Sequence, residues 1–287
     1  KKNLKFIVFG NSGMAGHMIS MYLWEHEYKV TGFDKKPNSL INTIQGDAMN
    51  VDIVRKVVRE GRYNIIINCI GLINQFAEKE KGKAIYINSF FPYLLAELAK
   101  ETGSYVVHLS TDCVFSGLRG QYTENDLPDG ITFYDRTKAL GELIDDRNLT
   151  FRNSLVGPDI NPYGIGLLNW FMQQENDVPG YTEVFWTGVT TLQLAKAIEE
   201  AALKRPIGLI NYVNNKVISK YELLMLFNKY IRKSKVKIIP DNTIKVNKSL
   251  LRTNYNLINE VPDYETMIRD LAEYMIRHKD LYPHYKL

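Results

Sequence analysis

The feature that most constrains this chain lies at its start. An apolar run from Leu4 to Phe9 leads into Gly10-Asn11-Ser12-Gly13-Met14-Ala15-Gly16, and apolar residues at helical spacing follow from Met14 to Trp24. The run predicts a buried strand, and the GxxGxxG spacing predicts a tight turn that opens a helix. Small residues at such a turn let the backbone approach a pyrophosphate, while helix N–H groups and the helix dipole hold its charge. Gly10, Ser12, Gly13, Met14 and Gly16 are therefore candidate contacts for a dinucleotide. Asp34 ends the next strand-like run, Lys29 to Phe33, and stands 18 residues past Gly16. An acid there can accept both ribose hydroxyls, which suits NAD, whereas Lys35 and Lys36 beside it could pair with the 2′-phosphate of NADP. The cofactor reading is NAD or NADP.

Short apolar runs alternate with helical patterns for the next hundred residues. Gln45-Gly46-Asp47 follows a third short strand region, Val51 to Arg59 reads as a helix, and Asn64 to Ile70 as a strand. Ala84 to Lys100 is a helix with Pro92 inside it, where a kink or a helix start is expected. Tyr105 to Leu109 is a strand, Phe133 to Ile144 a helix and Leu149 to Val156 a strand. Such alternation predicts an α/β doubly wound parallel sheet buried on both faces. Past Gly157-Pro158 the pattern loosens into aromatic, Pro- and Gly-rich segments. Thr190 to Leu203 reads as a helix and Gly208 to Val213 as a strand that rejoins the sheet. From Ser219 onward the chain reads as mostly helical, ending in an amphipathic helix from Asp263 to His278. The expected division is a dinucleotide-binding domain over 1–157 and 188–213, with a smaller, mostly helical substrate-binding domain over 158–187 and 214–287. The smaller domain would cap the strand carboxyl edge, where ligands of such sheets bind.

Residues at strand ends are the natural site candidates. Asp47, with Ala48 beside it, follows the third strand and can meet the adenine or cap a helix. Asn68-Cys69-Ile70-Gly71 ends the fourth, with Cys69 and Gly71 facing the cofactor edge. Asn88, in the following helix, is expected to hydrogen-bond across to the sheet in a structural role. Ser110-Thr111-Asp112 ends the fifth strand, and a strand-end hydroxyl such as Thr111 can bind a substrate oxygen and aid proton transfer. Tyr134 and Lys138 are four apart and share one helix face. A phenol is a poor acid or base at neutral pH, and a neighbouring ammonium is expected to lower its pKa.

Composition excludes several classes. A net charge of +4, with Lys and Arg interspersed among Asp and Glu, is too mild for a nucleic-acid protein. No apolar stretch reaches the length of a membrane span, and the two N-terminal lysines run straight into the first strand, without signal-peptide architecture. Cys69 and Cys113 lack metal-site spacing, the five histidines pair with no nucleophile, and no metal or disulfide is expected. Met14, Met18 and Met21 at helical spacing read as core. A cytoplasmic setting follows.

Taken together, these motifs resemble the extended short-chain dehydrogenase/reductase family, of Rossmann fold. Within it, Ser110-Thr111-Asp112-Cys113-Val114-Phe115-Ser116-Gly117 is similar to the STDYVFxG signature of the dTDP-4-dehydrorhamnose reductase group. Tyr134 to Glu142 resembles that group's YGxTKxxGE, and Gly208-Leu209-Ile210-Asn211-Tyr212 its late GLYH strand. The resemblance implies a catalytic set of Thr111, Tyr134 and Lys138. Lys138 would also hold the nicotinamide ribose, and a nucleotide-diphospho-sugar would be the substrate. It further implies a 4-keto-6-deoxy-sugar reductase of surface-polysaccharide biosynthesis, with a homodimer as the family default. Asp112, Cys113 and Leu155 fall where the substrate lies. Three positions depart from the pattern. Cys113 replaces a tyrosine, Leu155 a tryptophan that packs on the sugar, and Met18 a glutamate that helps bind magnesium between subunits in some members. Family alternatives are a sugar-nucleotide epimerase that keeps its NAD bound and a non-catalytic regulatory subunit of methionine adenosyltransferase. The Asp-Glu pair that marks the dehydratases is absent, since Cys113 follows Asp112. Lys216, Lys220 and Arg252 are candidate diphosphate ligands, with a solvated surface as the competing role.

Overall fold

The computed structural model describes residues 3–36 and 38–287; the N-terminal pair Lys1 and Lys2 lies outside the described residues. The first half of the chain is built as read, from β1 (Lys5–Phe9) and α1 (Met14–Glu25) through β2 (Lys29–Asp34), β3 (Thr43–Gln45), α2 (Val51–Gly61) and β4 (Ile65–Asn68). Two short helices follow, α3 (Asn74–Lys79) and α4 (Lys81–Ala84). A π-helical stretch (Ile85–Phe90) then runs into α5 (Phe91–Thr102) and β5 (Tyr105–Leu109). The π stretch has a local cause. Pro92 has no N–H for the Asn88 carbonyl one turn back and its ring would crowd that carbonyl, so the turn widens instead of kinking.

After β5 come a 3₁₀ turn (Asp112–Val114), α6 (Phe133–Leu140) and β6 (Leu149–Arg152). Helix α6 stops four residues short of the Ile144 end read from the sequence. Gly141 leaves the helix and passes against the Asn88 backbone, where a Cβ would sit 1.8 Å from the Asn88 oxygen. The run Leu149 to Val156 is not one strand. It breaks at Asn153, and β7 (Ser154–Val156) pairs with β9 (Gly188–Thr190) apart from the main sheet. Between them lie α7 (Leu167–Met172) and β8 (Val178–Trp186), and after β9 come α8 (Thr191–Lys204) and β10 (Gly208–Asn211).

The main sheet has seven strands in the order β10-β6-β5-β4-β1-β2-β3, every pairing parallel. The order reverses between β1 and β4, which is the crevice where such sheets take ligands. Alternate residues of β1 feed opposite layers: Phe6 and Val8 join one core, Ile7 and Phe9 the other. Helices α1 and α8 pack together, as do α2 and α5, so both faces are covered and the strands read as continuous apolar runs.

The last third combines helices with a sheet that the sequence reading did not find. The two-residue strand β11 (Ile218–Ser219) precedes α9 (Lys220–Tyr230), and β12 (Ile238–Asn247) precedes α10 (Tyr264–Arg277). Strand β8 is central, antiparallel to β11 and parallel to β12, with the register broken between Asp241 and Lys245. Most of β12 is exposed, so it lacks the apolar run that marks a buried strand.

Candidate active site

The glycine turn is built for close approach. Gly10 sits at φ +81°, and a Cβ on it would meet Ile70 and the Cys69 backbone at 3.0–3.3 Å, the start of the segment leaving β4. At Gly16 a Cβ would lie 2.0 Å from the Gly10 oxygen, so only glycine lets α1 start this close to the strand. Gly13 differs: its Cβ would meet only the Gly10 oxygen, at 3.5 Å, and the residue is exposed over the turn. One glycine shapes the turn, one packs helix on strand and one leaves an open backbone, which is the division of labour of a pyrophosphate cradle. The residues present thus fit a dinucleotide.

Around the cradle, Asp34 accepts from the Ser12 N–H (3.1 Å) and the Lys36 N–H (3.3 Å). The Ser12 hydroxyl donates to the Lys36 carbonyl, and Met14 lies beside Gly166. Lys35 pairs with Asp47 at 3.0 Å, so the two groups that sequence reasoning treats separately are joined on the surface. Asp47 also accepts from the Met49 N–H, whereas the α2 cap itself is Asn50. Burial raises the Asp47 carboxyl, but the Met49 N–H and the Lys35 ammonium outweigh it and hold its pKa below the usual value. Ala48 is buried in the core with its carbonyl bonded by the Tyr86 hydroxyl. Gly71 is exposed at the β4 edge. Asn88 is fully buried, accepts from the Leu72 N–H, and donates to the Leu72 carbonyl and the Thr137 hydroxyl. Its amide ties the β4 exit to α6. Burial pushes the Cys69 thiol up to about 12. Cys69 and Cys113 are both free.

Thr111, Asp112 and Cys113 leave β5 at the same carboxyl edge. The Thr111 hydroxyl caps the 3₁₀ turn by accepting from the Cys113 N–H (3.1 Å) and donates to Asp112 (3.3 Å). Thr132 and Asp135 form a capping box that starts α6, on which Tyr134 and Lys138 lie one turn apart. Lys138 is 4% exposed and donates to the Leu109 carbonyl at 2.7 Å. Burial lowers its pKa to about 8, with Glu142 acting in the opposite direction. The expectation that Lys138 lowers the Tyr134 phenol is corrected. The Tyr134 pKa is raised, first by burial and then by the Cys113 thiol, and the Thr111 side chain pulls it partly back. Burial also raises the Asp112 carboxyl against the attraction of Lys220 and Lys248.

Lys220, the first residue of α9, lies over the Trp186 ring at 5.5 Å with its pKa lowered by burial, so it belongs to the site edge and not to the solvated surface. Lys216 is exposed. Arg252 is neither surface nor ligand: it is 2% exposed and donates to the Asn254, Tyr255, Ile258 and Asn259 carbonyls. Leu155 is half-buried against the core, and Met18 is wholly buried, with no access to a subunit boundary. Among the described residues no group of three or more His, Cys, Asp or Glu is placed to hold a metal ion, and no helix is long and apolar enough to cross a membrane.

Sequence reasoning missed the charges under the site. Glu142 and Arg152 form a bidentate pair (2.6 and 2.8 Å), 4% and 1% exposed, and the Ser110 hydroxyl donates to the same carboxylate at 2.6 Å. Glu142 closes the run that resembles YGxTKxxGE and Arg152 ends a strand, but no spacing in the sequence says that the two pair.

A glycine cradle at the switch point, an acid at the end of β2 and a Thr/Tyr/Lys set beside β5 define an extended short-chain dehydrogenase/reductase, an oxidoreductase class. The chain belongs to the RmlD substrate binding domain family, whose model matches residues 4–152, just over half of the sequence. It is 29% identical over 228 residues to the spore coat polysaccharide biosynthesis protein SpsK of Bacillus subtilis (strain 168), covering 76% of each chain. It is 36% identical over 161 residues to the dTDP-4-dehydrorhamnose reductase of Salmonella typhimurium, a match spanning 53% of this chain and 52% of that enzyme. In fold it is similar to the dTDP-4-dehydrorhamnose reductase of Bacillus anthracis str. Ames, solved in complex with NADP, with a TM-score of 0.80, 24% identity, and 95% and 99% of the two chains covered.

Proposed function

We propose that this chain is an NAD(P)H-dependent reductase of a nucleotide-diphospho-4-keto-6-deoxy-sugar, working in the biosynthesis of surface-polysaccharide sugars. The observation that carries the reading is the meeting of Thr111, Tyr134 and Lys138 at the strand edge that also holds the glycine cradle. The dinucleotide, when bound, supplies the hydride. Tyr134 donates the proton to the sugar carbonyl oxygen, and its raised pKa keeps the phenol protonated, the state that reduction requires. The alkoxide that develops as hydride arrives is the base that takes this proton. Thr111 orients that oxygen, and Lys138 beneath supplies positive charge toward the developing anion. Asp112, Cys113 and Leu155 face the sugar, and Lys220 flanks them.

The intact hydroxyl, phenol and ammonium count against a purely regulatory role. Exposed Ile85, Phe90 and Tyr93 on the π stretch and α5, with Leu140 at the end of α6 and Ile144 just past it, support a homodimer. Two free thiols and a nucleotide-activated substrate fit a cytoplasmic enzyme.

The test is oxidation of NADH and NADPH against a panel of dTDP-, UDP-, GDP- and CDP-linked 4-keto-6-deoxy sugars, with Tyr134→Phe as control. Turnover that the variant loses by about 10²–10⁴-fold is expected, the usual weight of a general acid. Undiminished turnover in the variant removes Tyr134 from the chemistry, and an inert wild type with tightly held NAD favours the epimerase.

A further inference from the structure

Two consecutive residues at the end of β5 receive two residues one turn apart at the end of α6. The Leu109 carbonyl accepts from the Lys138 ammonium at 2.7 Å, and the Ser110 hydroxyl donates to Glu142 at 2.6 Å. Arg152, closing β6, grips both oxygens of Glu142 and lies over the Phe115 ring at 5.0 Å, leaving its Nη1 without a partner. One carboxylate therefore joins the strand that delivers Thr111, the helix that delivers Tyr134 and Lys138, and the next strand of the sheet. Stability is a poor reason for such an arrangement, because a buried ion pair roughly breaks even against apolar residues of similar volume. We infer that Glu142 is a positioning residue for Lys138, its carboxylate supplying the counter-charge that keeps the buried ammonium charged and aimed at the reaction centre.

The surroundings leave few other groups for that task. Lys138 faces Cys69 from the end of β4, His108 from β5 and Glu142 from the exit of α6. The Cys69 thiol is pushed up to about 12 by burial, so it is neutral. Burial holds His108 well below its usual value, so it too is neutral. Glu142 is left as the negative charge opposing the burial of Lys138. Arg152 in turn neutralises part of Glu142, so the two residues push Lys138 in opposite directions.

The inference rests on the reductase reading for what Lys138 does, but its test does not need turnover. The Lys138 titration is read by NMR on enzyme labelled at lysine Cε, and in parallel by the alkaline limb of kcat/KM. Wild type is expected to titrate near pH 8. Glu142→Gln removes the counter-charge, and the midpoint falls to roughly pH 7, a loss of about one unit for an opposite charge nearby. At pH 8 the charged fraction then drops from about one half to about one tenth, so kcat/KM falls about fivefold there and little at pH 6. Ser110→Ala breaks a hydrogen bond of the same clamp but keeps the charge, and its midpoint stays with wild type. Glu142→Gln strands the Arg152 charge. If that variant does not fold, Glu142→Leu/Arg152→Met removes both charges at similar volume, and its midpoint falls by less than in Glu142→Gln because the opposing Arg152 charge goes too. A folded Glu142 variant whose Lys138 titrates as wild type overturns the inference. A wild type inert on every sugar nucleotide, with the shift present, counts against the reaction and not against the coupling.

Discussion

Gly13→Ala and Gly16→Ala add the same methyl three residues apart, and the account requires opposite outcomes. At Gly16 the methyl would sit 2.0 Å from the Gly10 oxygen, 2.8 Å from the Gly10 carbonyl carbon and 2.9 Å from the Asn11 Cα, all backbone atoms. Alanine in a helix otherwise gains about 1 kcal/mol over glycine. Separation of α1 from the turn outweighs that gain, since overpacking of a tight contact costs roughly 1–3 kcal/mol. With the helix gain set against that cost the net loss reaches about 2 kcal/mol, so the melting temperature should fall by up to roughly 8 °C at about 2–4 °C per kcal/mol. At Gly13 the methyl makes one ordinary 3.5 Å contact, and φ −77°, ψ 171° suits alanine. Stability should stay within about 0.5 kcal/mol. The methyl does, however, cover the backbone that a pyrophosphate must approach, so NAD(P)H affinity should fall at least about tenfold, or about 1.4 kcal/mol. Thermal melts and NADPH fluorescence titrations of the two variants read both quantities. A Gly13→Ala protein that binds NAD(P)H as wild type does would refute the cradle, whatever Gly16→Ala did.

Two further outcomes follow from the same geometry. Asp34→Asn removes the carboxylate that would repel a 2′-phosphate while leaving Lys35 and Lys36, so the ratio of NADPH to NADH affinity should rise about tenfold or more, as read by titration; an unchanged ratio removes Asp34 from the ribose site. His17 is fully buried between the Gly13 carbonyl and the Tyr282 hydroxyl, and burial lowers its pKa to about 4. Between about pH 6.5 and pH 4 only the unfolded chain takes up this proton. Its contribution is whole above pH 6.5 and about 3 kcal/mol is lost as pH falls to 4. Melting temperature plotted against pH should be flatter over that window in His17→Gln, and an equal slope would show that another group sets the acid limb.

Much of the fold was legible because parallel strands buried on both faces must be continuous apolar runs. Phe6 to Phe9 and Ile65 to Ile67 carry that signature without ambiguity. The break at Asn153 was hidden because apolar and polar residues are interspersed on both sides of it and only the partner strand changes. Strand β12 was missed because exposed residues fill most of it and its hydrogen bonds go to β8, far away in sequence. At the site, residue types and spacing singled out Thr111, Tyr134 and Lys138 as candidates, but not their electrostatics. The Tyr134 and Lys138 pKa values are both governed first by burial, with Glu142 opposing it at Lys138. Burial depends on the whole packed chain, which no local spacing encodes.

The central claim is hydride delivery to a sugar carbonyl carbon. The most direct measurement supplies NADPH and NADH carrying deuterium at the transferable position with the dTDP-4-keto-6-deoxy sugar, and locates the label by NMR of the product. The account predicts one deuterium at C4 of the sugar for each cofactor oxidised, lost together with turnover in Tyr134→Phe. Product without label at C4, or epimerised sugar formed with no net cofactor oxidised, would contradict it.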